Sequence, residues 1–361
     1  MRDTTPAFEG ALVLTGGGTG GHFFPAVALA EGARSRWPDL PIAFVGARRG
    51  IEAQKLPEGP WPHLLLDVEG LVGRSPLLVA RSTWKLGRAV THLRGLWHRE
   101  RPRAVIGTGG YGAAPALLAA WSMGIPYFLH ESNAAPGALV RLVAPKARRV
   151  WCGMGAVLPL LPRADCRVVG TPVRGDFLRS FAPVQGLLPP FRLLVLGGSG
   201  GARAINEALL RIAPALLERQ PDWELLHQTG TAEGERLLGH DLHPRHRLVT
   251  FIDRMGEAME AASLVLGRSG ASTCAELKAV GRMAILIPLP TSANDHQRMN
   301  ALALVAEGRA CLIEQSGDLA GQLEEAAGDL MGAATRAALV CAPEANRAVE
   351  RCLDDLDSYL G

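Results

Sequence analysis

The chain has 361 residues, of which 48% are hydrophobic and 20% charged, and its formal net charge is +3. This length accommodates two globular domains, the composition excludes a disordered chain, and so small a net charge argues against nucleic acid as a partner. No apolar run approaches the roughly 20 residues of a membrane span, and the first ten residues lack a signal-peptide core, so we expect a cytoplasmic protein. Six cysteines without CxxC spacing predict reduced thiols.

The stretch at residues 11–30, ALVLTGGGTGGHFFPAVALA, predicts a strand, a glycine-rich loop and a helix. Glycines permit tight turns and close approach of a ligand, and the helix N-terminus favours a phosphate or diphosphate. The spacing Gly16-x-Gly18-x-x-Gly21 also satisfies the dinucleotide fingerprint. Arg48 and Arg49 follow the next strand, so an NADP-dependent oxidoreductase stays open as an alternative. His22 at the mouth of the loop suggests chemistry beside the bound anion.

Residues 70–103 combine exposed-looking apolar side chains with basic ones. From Arg81 to Arg103 there are seven arginines and lysines against the single acidic residue Glu100. Such a basic, tryptophan-bearing amphipathic helix is typical of a protein lying on an anionic membrane, and the alternative is an ordinary helix whose apolar stripe faces a sheet. The residues predicted to contact the membrane are Leu71, Leu77, Leu78, Trp84, Lys85 and Arg88.

Two further motifs follow apolar strands in the first half. GTGGYG at residues 107–112 is a second glycine loop, and HESN at residues 130–133 follows the next strand. Open α/β sheets bind ligands at the carboxyl ends of their strands, so HESN predicts a polar site there, or else a cap on the following segment.

The opening pattern starts again at residue 191 with FRLLVLGGSGGARAINEALL, which places Ser199 in a glycine loop. Two such starts predict two doubly wound domains facing each other across a cleft, with residues 1–171 in the first and 172–342 in the second. A closing helix at about residues 343–361 is expected to pack back on the first domain. GRSGAST at residues 267–273 gives a turn onto another helix N-terminus, with Glu276 placed to hold sugar hydroxyls.

The ordered set of motifs resembles the MurG family of cell-wall glycosyltransferases. The motifs run from residue 11 to about residue 301, as GGGTGGHFFPA, GTGGYG, HESN, GTPVR, LGGSGGARAIN, FID, RSGASTCAEL and NDHQRMNA. The resemblance implies an α/β GT-B fold of two Rossmann-like domains, with the donor held mainly by the second. It also implies inverting transfer of GlcNAc from UDP-GlcNAc to the muramoyl C4 hydroxyl of lipid I (undecaprenyl-pyrophosphoryl-muramoyl-pentapeptide), giving lipid II for peptidoglycan.

The resemblance also implies roles for individual residues. The residues expected to bind the donor are Thr19, Gly20, Gly21, Asn133, Arg174, Ser199, Ile252, Ala271, Ser272, Thr273, Glu276 and Gln297. Those expected to bind the acceptor are Gly18, Gly109, Gly110, Tyr111 and His130. Ser132 stands where the family commonly has Gln, which removes a longer side chain from this position.

Inversion requires a general base, and the two candidates are His22 and Glu131. An imidazole of ordinary pKa suits neutral pH, which favours His22. With no DxD motif in the sequence, we expect no tightly bound metal or other cofactor. The expected partners are UDP-GlcNAc, lipid I, an anionic membrane at the cytoplasmic face of the inner membrane and other cell-wall synthesis proteins. A related UDP-sugar lipid glycosyltransferase is the alternative within the same fold.

Overall fold

The structure is a computed structural model that describes residues 6–70, 76–177, 179, 181, 189–198, 200–237, 242–292, 295–331 and 341–360. The chain forms two compact units. Unit 1 comprises Met1–Arg174 together with Asn346–Gly361, and unit 2 comprises Gly175–Ala345. The chain thus passes from unit 1 to unit 2 after Arg174 and returns to unit 1 at Asn346.

Unit 1 contains a parallel sheet with strand order β3-β2-β1-β4-β5-β6-β7. The strands are β1 (Leu12–Thr15), β2 (Ile42–Ala47), β3 (His63–Leu66), β4 (Ala104–Gly107), β5 (Tyr127–Glu131), β6 (Arg149–Cys152) and β7 (Cys166–Val168). The helices that precede residue 175 are α1 (Gly20–Arg36), α2 (Ile51–Lys55), α3 (Pro76–Arg99), α4 (Ala114–Met123) and α5 (Ala138–Val143). The strand order reverses between β1 and β4, which creates a crevice at their carboxyl ends.

The apolar strands of unit 1 are buried because helices cover both faces of the sheet. Successive side chains point to opposite faces, so Val13 packs with Leu93 and Trp97 of α3, whereas Leu14 packs in the core on the α1 side. Helix α1 begins at Gly20, directly after the loop, so Pro25 lies inside the helix.

Unit 2 contains a second parallel sheet with strand order β10-β9-β8-β11-β12-β13. Its strands are β8 (Phe191–Leu196), β9 (Trp223–Gln228), β10 (His246–Val249), β11 (Leu264–Gly267), β12 (Ala284–Leu286) and β13 (Ala310–Leu312). Its helices are α6 (Arg203–Arg219), α7 (Thr231–Leu237), α8 (Met255–Ala261), α9 (Ala271–Val280), α10 (His296–Ala306) and α11 (Leu319–Met331). The order again reverses, between β8 and β11. The expectation of two doubly wound parallel-sheet domains is confirmed.

The last helix, α12 (Ala348–Leu360), belongs to unit 1. Cys352 and Leu356 are fully buried in the same core as α1. Asp355 accepts a hydrogen bond from Trp151 Nε1 at 2.9 Å and forms an ion pair with Arg167. The described helices include none that is both long and apolar enough to cross a bilayer.

Candidate active site

The two glycine loops of unit 1 meet at the crevice between β1 and β4. Thr15 and Gly107, the last residues of these strands, are paired neighbours. Beyond them, Gly17 N donates to Gly109 O at 3.3 Å, and Thr108 N donates to Thr15 O at 2.9 Å. The structure therefore brings together residues that lie more than 90 positions apart in the sequence.

Glycine is required at two contacts between these loops. A Cβ placed at Gly110, where φ is +76°, would lie 1.9 Å from Gly17 O. A Cβ at Gly18, where φ is +90°, would lie 2.6 Å from the ring of Tyr111. Part of the glycine content thus serves the packing of one loop on the other, and the predicted acceptor-binding residues Gly18, Gly109, Gly110 and Tyr111 form one cluster.

His22 lies in the first turn of α1 with its ring held by the second glycine loop. Its Nδ1 atom is 3.0 Å from the carbonyl oxygen of Thr108. A carbonyl only accepts, so Nδ1 carries the proton in this contact and Nε2 of the neutral ring is the atom able to take up a proton. Thr108 Oγ1 also donates to His22 O at 2.6 Å. The predicted donor-side residues Thr19, Gly20 and Gly21 lead directly into this turn.

Glu131, the second candidate base, is occupied by the turn that follows it. Its Oε1 accepts from both Asn133 N and Asn133 Nδ2 at 3.0 Å, and its Oε2 accepts from Gly137 N at 3.0 Å. The side chain is buried. This arrangement suits a residue that orients Asn133 better than one that removes a proton from a substrate.

The prediction that His130 contacts the acceptor is corrected, because its side chain has no solvent-exposed surface. His130 lies on strand β5, and its side chain is fully buried. Nε2 donates to Gly170 O at 2.9 Å, and Nδ1 lies 3.1 Å from Ser132 Oγ. Burial lowers the pKa of His130 to about 4, with a smaller contribution from His22. Ser132 therefore supports His130 from inside the fold.

Arg174, the last residue of unit 1, lies beside α1. Its guanidinium is 5.0 Å from the ring centroid of Phe24, within the range of a cation–π contact. The arginine therefore stays close to the helix that carries His22.

In unit 2 the described donor residues of the prediction follow the carboxyl ends of strands β10, β11 and β12. Helix α9 begins at Ala271, with Ser272 and Thr273 in its first turn and the buried Glu276 one turn further on. Among the described residues, the buried Ser269 Oγ and Ser272 Oγ have no hydrogen-bond partner. Two unsatisfied hydroxyls beside a helix N-terminus are what a site for a bound anion would present.

The turn before α9 is fixed by side chains whose role the sequence did not reveal. Asn300 Nδ2 donates to Ser269 O at 3.1 Å. Arg268 donates to the carbonyls of Ile287 and Pro288 at 3.0 and 3.1 Å, and burial lowers the pKa of this arginine. These contacts join the ends of β11 and β12, which positions the N-terminus of α9.

Gln228, at the end of β9, is another residue that sequence reasoning missed. Its Nε2 donates to Gly198 O at 3.3 Å, and its Oε1 accepts from Ile252 N at 3.2 Å. One buried amide thus connects the glycine loop after β8 to Ile252, which is one of the predicted donor-binding residues. Gln297 is held similarly, since its Oε1 accepts from Leu289 N at 3.0 Å.

The predicted site residues thus fall into two sets. Unit 1 holds Gly18, Thr19, Gly20, Gly21, His22, Gly109, Gly110, Tyr111, His130, Glu131, Asn133 and Arg174, and unit 2 holds Ile252, Ala271, Ser272, Thr273, Glu276 and Gln297. Ser199 lies outside the described residues.

The predicted membrane surface lies on the outer face of α3. Leu77, Leu78 and Trp84 are 84%, 44% and 61% exposed, and the Arg88 guanidinium lies 4.8 Å from the centroid of the Trp84 ring. The prediction that Lys85 contacts the membrane is corrected, because its ammonium lies 2.6 Å from Glu69 and 3.0 Å from Asp67. This charge is neutralised within the protein. Leu71 lies outside the described residues.

Protein-family models match both halves of the chain. The glycosyltransferase family 28 N-terminal domain matches residues 12–152, and the corresponding C-terminal domain matches residues 192–348. The chain is 42% identical over 307 residues to the UDP-N-acetylglucosamine–N-acetylmuramyl-(pentapeptide) pyrophosphoryl-undecaprenol N-acetylglucosamine transferase of Syntrophotalea carbinolica, covering 84% of this chain and 85% of that one. The protein of the same name from Alkalilimnicola ehrlichii is 40% identical over 319 residues, covering 84% and 85%.

The chain belongs to the MurG family. Among solved structures, MurG of Acinetobacter baumannii aligns with a TM-score of 0.69 and 26% identity, covering 96% of this chain and 99% of that one. The glycotransferase of kitacinnamycin aligns with a TM-score of 0.70 at 16% identity, which shows the fold alone. Membership of the MurG family confirms the resemblance and the GT-B-like fold, and the oxidoreductase alternative was wrong.

Proposed function

We propose that this chain transfers GlcNAc from UDP-GlcNAc to the C4 hydroxyl of the muramoyl sugar in undecaprenyl-pyrophosphoryl-muramoyl-pentapeptide, with inversion at the anomeric carbon. The observation that carries the mechanism is the hydrogen bond between His22 Nδ1 and the Thr108 carbonyl, because it leaves Nε2 as the proton acceptor. The names of the relatives at 40–42% identity support the choice of donor and acceptor.

The reaction is one in-line displacement. His22 Nε2 takes the proton from the C4 hydroxyl, the oxygen forms a bond to the anomeric carbon of GlcNAc, and the bond from that carbon to the UDP oxygen breaks. The electron pair leaves with UDP, whose diphosphate gains charge. The first-turn amides of α9 and the loop after β8 are suited to stabilise that charge, and Glu276 is suited to hold the ribose hydroxyls. The absence of a tightly bound metal stays a prediction.

An assay with radiolabelled UDP-GlcNAc and a short-chain lipid I analogue tests this function. We expect label in the disaccharide product with wild-type protein and a large loss with His22→Ala. His92→Ala is the matched control, since His92 is an exposed histidine on α3. Absence of transfer by the wild-type protein, or transfer to diacylglycerol in place of lipid I, would refute the proposal.

We further propose that α3 attaches the protein to an anionic membrane surface, where a lipid-linked acceptor would be met. The exposed Leu77, Leu78 and Trp84 supply apolar surface. Exposed arginines on the same helix, Arg81, Arg88, Arg94 and Arg99, supply positive charge. Apolar insertion and electrostatic attraction to anionic lipids together explain why both kinds of side chain occur on one helix.

Vesicle sedimentation tests the membrane proposal. The protein should bind phosphatidylglycerol vesicles more strongly than phosphatidylcholine vesicles, and salt should weaken the difference. Leu77→Ser, Leu78→Ser and Trp84→Ser combined should release the protein, whereas the control Trp121→Ser with Leu142→Ser, which changes other exposed apolar residues of unit 1, should not. Equal binding by both combined variants would place the membrane contact elsewhere.

A further inference from the structure

Glu52, on the short helix α2, is a carboxyl group with no exposed surface. Both of its oxygens accept from Gly18 N, at 3.0 and 2.8 Å, and Oε1 also lies 3.4 Å from Ala47 N. Desolvation raises the pKa of Glu52, and the backbone donors Gly18 and Ala47 oppose that shift. The carboxyl group is therefore held by the glycine loop that precedes His22.

The surroundings of Glu52 consist largely of glycines from four separate segments. A Cβ at Gly17, Gly50 or Gly112 would lie 2.2, 2.7 or 2.9 Å from a Glu52 carboxyl oxygen. A Cβ at Gly46 would lie 3.0 Å from Glu52 Cγ. These segments are the first glycine loop, the end of β2, the turn before α2 and the end of the second glycine loop. Glycine is needed at these positions because the Glu52 side chain fills the space.

This arrangement revises the role of the first loop's amides. The sequence predicted that they are free to bind an anion, but the Gly18 amide is committed to Glu52. The next amide back, Gly17 N, is committed to Gly109 O. The amides of the helix start at residues 20 and 21 lack intrahelical partners and are candidates to bind a ligand.

Glu52 is connected to His22 through the backbone of both loops. Glu52 fixes Gly18, the adjacent Gly17 is bonded to Gly109, and Gly109 follows Thr108, whose carbonyl holds His22 Nδ1. A shift of the loop at Gly17 and Gly18 would therefore move the acceptor that fixes the ring of His22. Hydrogen bonds to a buried carboxylate resist such a shift because breaking them leaves the group unsatisfied.

We propose that Glu52 is a positioning residue that sets the glycine loop of residues 16–21, and with it the orientation of the His22 imidazole toward the acceptor. The proposal rests on the proposed function, in which His22 is the base. Glu52 itself does not touch substrate. Its effect is on the geometry of the reacting groups, where misplacement by about 1 Å can cost roughly 100-fold in rate.

The test compares Glu52→Gln with the matched control Glu58→Gln, which changes an exposed glutamate paired only on the surface with Lys55. In Glu52→Gln an amide NH₂ group takes the place of one of the two oxygens that accept from Gly18 N. A hydrogen-bond donor then faces the Gly18 N–H. We expect kcat to fall about 10- to 100-fold, while the dissociation constant of UDP, which the family resemblance assigns mainly to unit 2, changes less than twofold. The control should match wild type in both.

A second readout does not depend on the acceptor. The ¹⁵N spectrum of the His22 ring reports which nitrogen carries the proton, and Glu52→Gln should shift the Nδ1 signal as the bond to Thr108 changes. Wild-type protein that lacks transferase activity would refute the proposed function, whereas this spectrum would still test the link from Glu52 to His22. An unchanged His22 signal together with a kcat within twofold of wild type would overturn the positioning role.

A compensation experiment tests the contact between Glu52 and the first glycine loop with a different pair of substitutions. Gly17→Ala alone should be severe, since the new Cβ would meet the Glu52 carboxyl group at 2.2 Å. In the Glu52→Ala background that space is open. Adding Gly17→Ala there should lower kcat by a factor that is less than one fifth of the factor by which Gly17→Ala lowers kcat in the wild-type protein. Strictly additive effects would mean that the two residues are not coupled, and would refute the proposal.

Discussion

His22 and Thr108 form a reciprocal pair, in which the Thr108 carbonyl lies 3.0 Å from His22 Nδ1 and the Thr108 hydroxyl donates to the His22 carbonyl at 2.6 Å. The first contact sets the tautomer of the ring, and the second fixes the backbone that carries it. Both loops of the unit 1 crevice therefore contribute to the orientation of one imidazole.

His22→Ala should lower kcat by about 100- to 10,000-fold, the usual contribution of a general base, with the KM for UDP-GlcNAc nearly unchanged. Thr108→Val keeps the carbonyl and removes only the hydroxyl, so it should cost less than tenfold. Because a protonated imidazole cannot accept a proton, turnover should fall on the acid side of the pH profile. Steady-state kinetics across pH would check all three, and a Thr108→Val defect as large as that of His22→Ala would contradict this assignment.

Glu131→Gln separates the two candidate bases. The amide keeps the shape of the carboxyl group but replaces one of the oxygens that accept from Asn133 and Gly137. We expect a moderate loss, seen mainly as a higher KM for UDP-GlcNAc because Asn133 is less well held. Abolished turnover in Glu131→Gln, combined with less than a tenfold loss in His22→Ala, would assign the base to the carboxylate.

Glu276→Ala should weaken binding of the donor UDP-GlcNAc. Loss of charge-assisted hydrogen bonds to the ribose is worth about 1.5–3 kcal/mol, which raises the KM for UDP-GlcNAc roughly 10- to 100-fold. Glu325→Ala, a change at an exposed glutamate of α11, is the control and should leave the KM unchanged. Isothermal titration with UDP measures the same difference without the acceptor, and equal affinities would remove Glu276 from the site.

Gln228 allows the nucleoside and diphosphate parts of the donor to be tested separately. Gln228→Glu keeps an oxygen for Ile252 N but places another oxygen against the Gly198 carbonyl. UDP affinity should fall about tenfold, as expected for a lost buried hydrogen bond, while uridine affinity stays within twofold. Gln228→Leu should weaken both ligands. Gln322→Leu, which removes an amide that bonds to Ser316 O, is the control, and a uridine loss equal to the UDP loss in Gln228→Glu would contradict the prediction.

Two buried histidines of unit 2 should make the free energy of unfolding depend on pH. His227 Nε2 donates to Asn206 Oδ1 at 2.9 Å, so the neutral His227 Nδ1 accepts from His246 Nε2 at 3.3 Å. Burial lowers the pKa of His227 to about 3, with a smaller contribution from His246. Burial also lowers the pKa of His246 to about 4, with a smaller contribution from His243. The unfolded chain binds these protons near pH 6.5, whereas the folded chain does not.

The free energy of unfolding should therefore be highest above about pH 6.5 and fall as the pH decreases toward 4, by up to about 1.4 kcal/mol per pH unit for each histidine. Thermal unfolding of the full chain between pH 8 and pH 4.5 measures this dependence. His246→Phe keeps an aromatic ring and should flatten it, whereas the control His92→Phe should not. A pH dependence identical to wild type in His246→Phe would show that other groups dominate.

The sequence predicted the parts of the site that local patterns determine. An apolar run followed by glycines and a helix marks β1 with His22, and the second such run marks β8, because the strand, the turn and the helix lie within about 20 residues. The turn at Ala271 was found in the same way. The residues that hold these loops come from distant segments, and no local pattern distinguishes Glu52 or Gln228 from surface residues.

The two corrections have the same physical origin. Lys85 looked like a membrane contact because its neighbours on α3 are basic and apolar, but its partners Asp67 and Glu69 lie 16 to 18 positions earlier. The family resemblance implied an acceptor contact for His130, but its side chain is buried and bonded to the Gly170 carbonyl. Side-chain environment depends on packing across the chain, which motif order does not encode.

The return of α12 to unit 1 has a consequence for synthesis on the ribosome. The chain leaves unit 1 after Arg174, completes unit 2, and comes back only at Asn346. Until residues 348–360 emerge, the surface that Cys352 and Leu356 cover remains open to water, and Trp151 lacks its partner Asp355. Unit 2, whose residues are contiguous, can fold while the chain is still being made. The domain that is translated first is therefore the last to be finished.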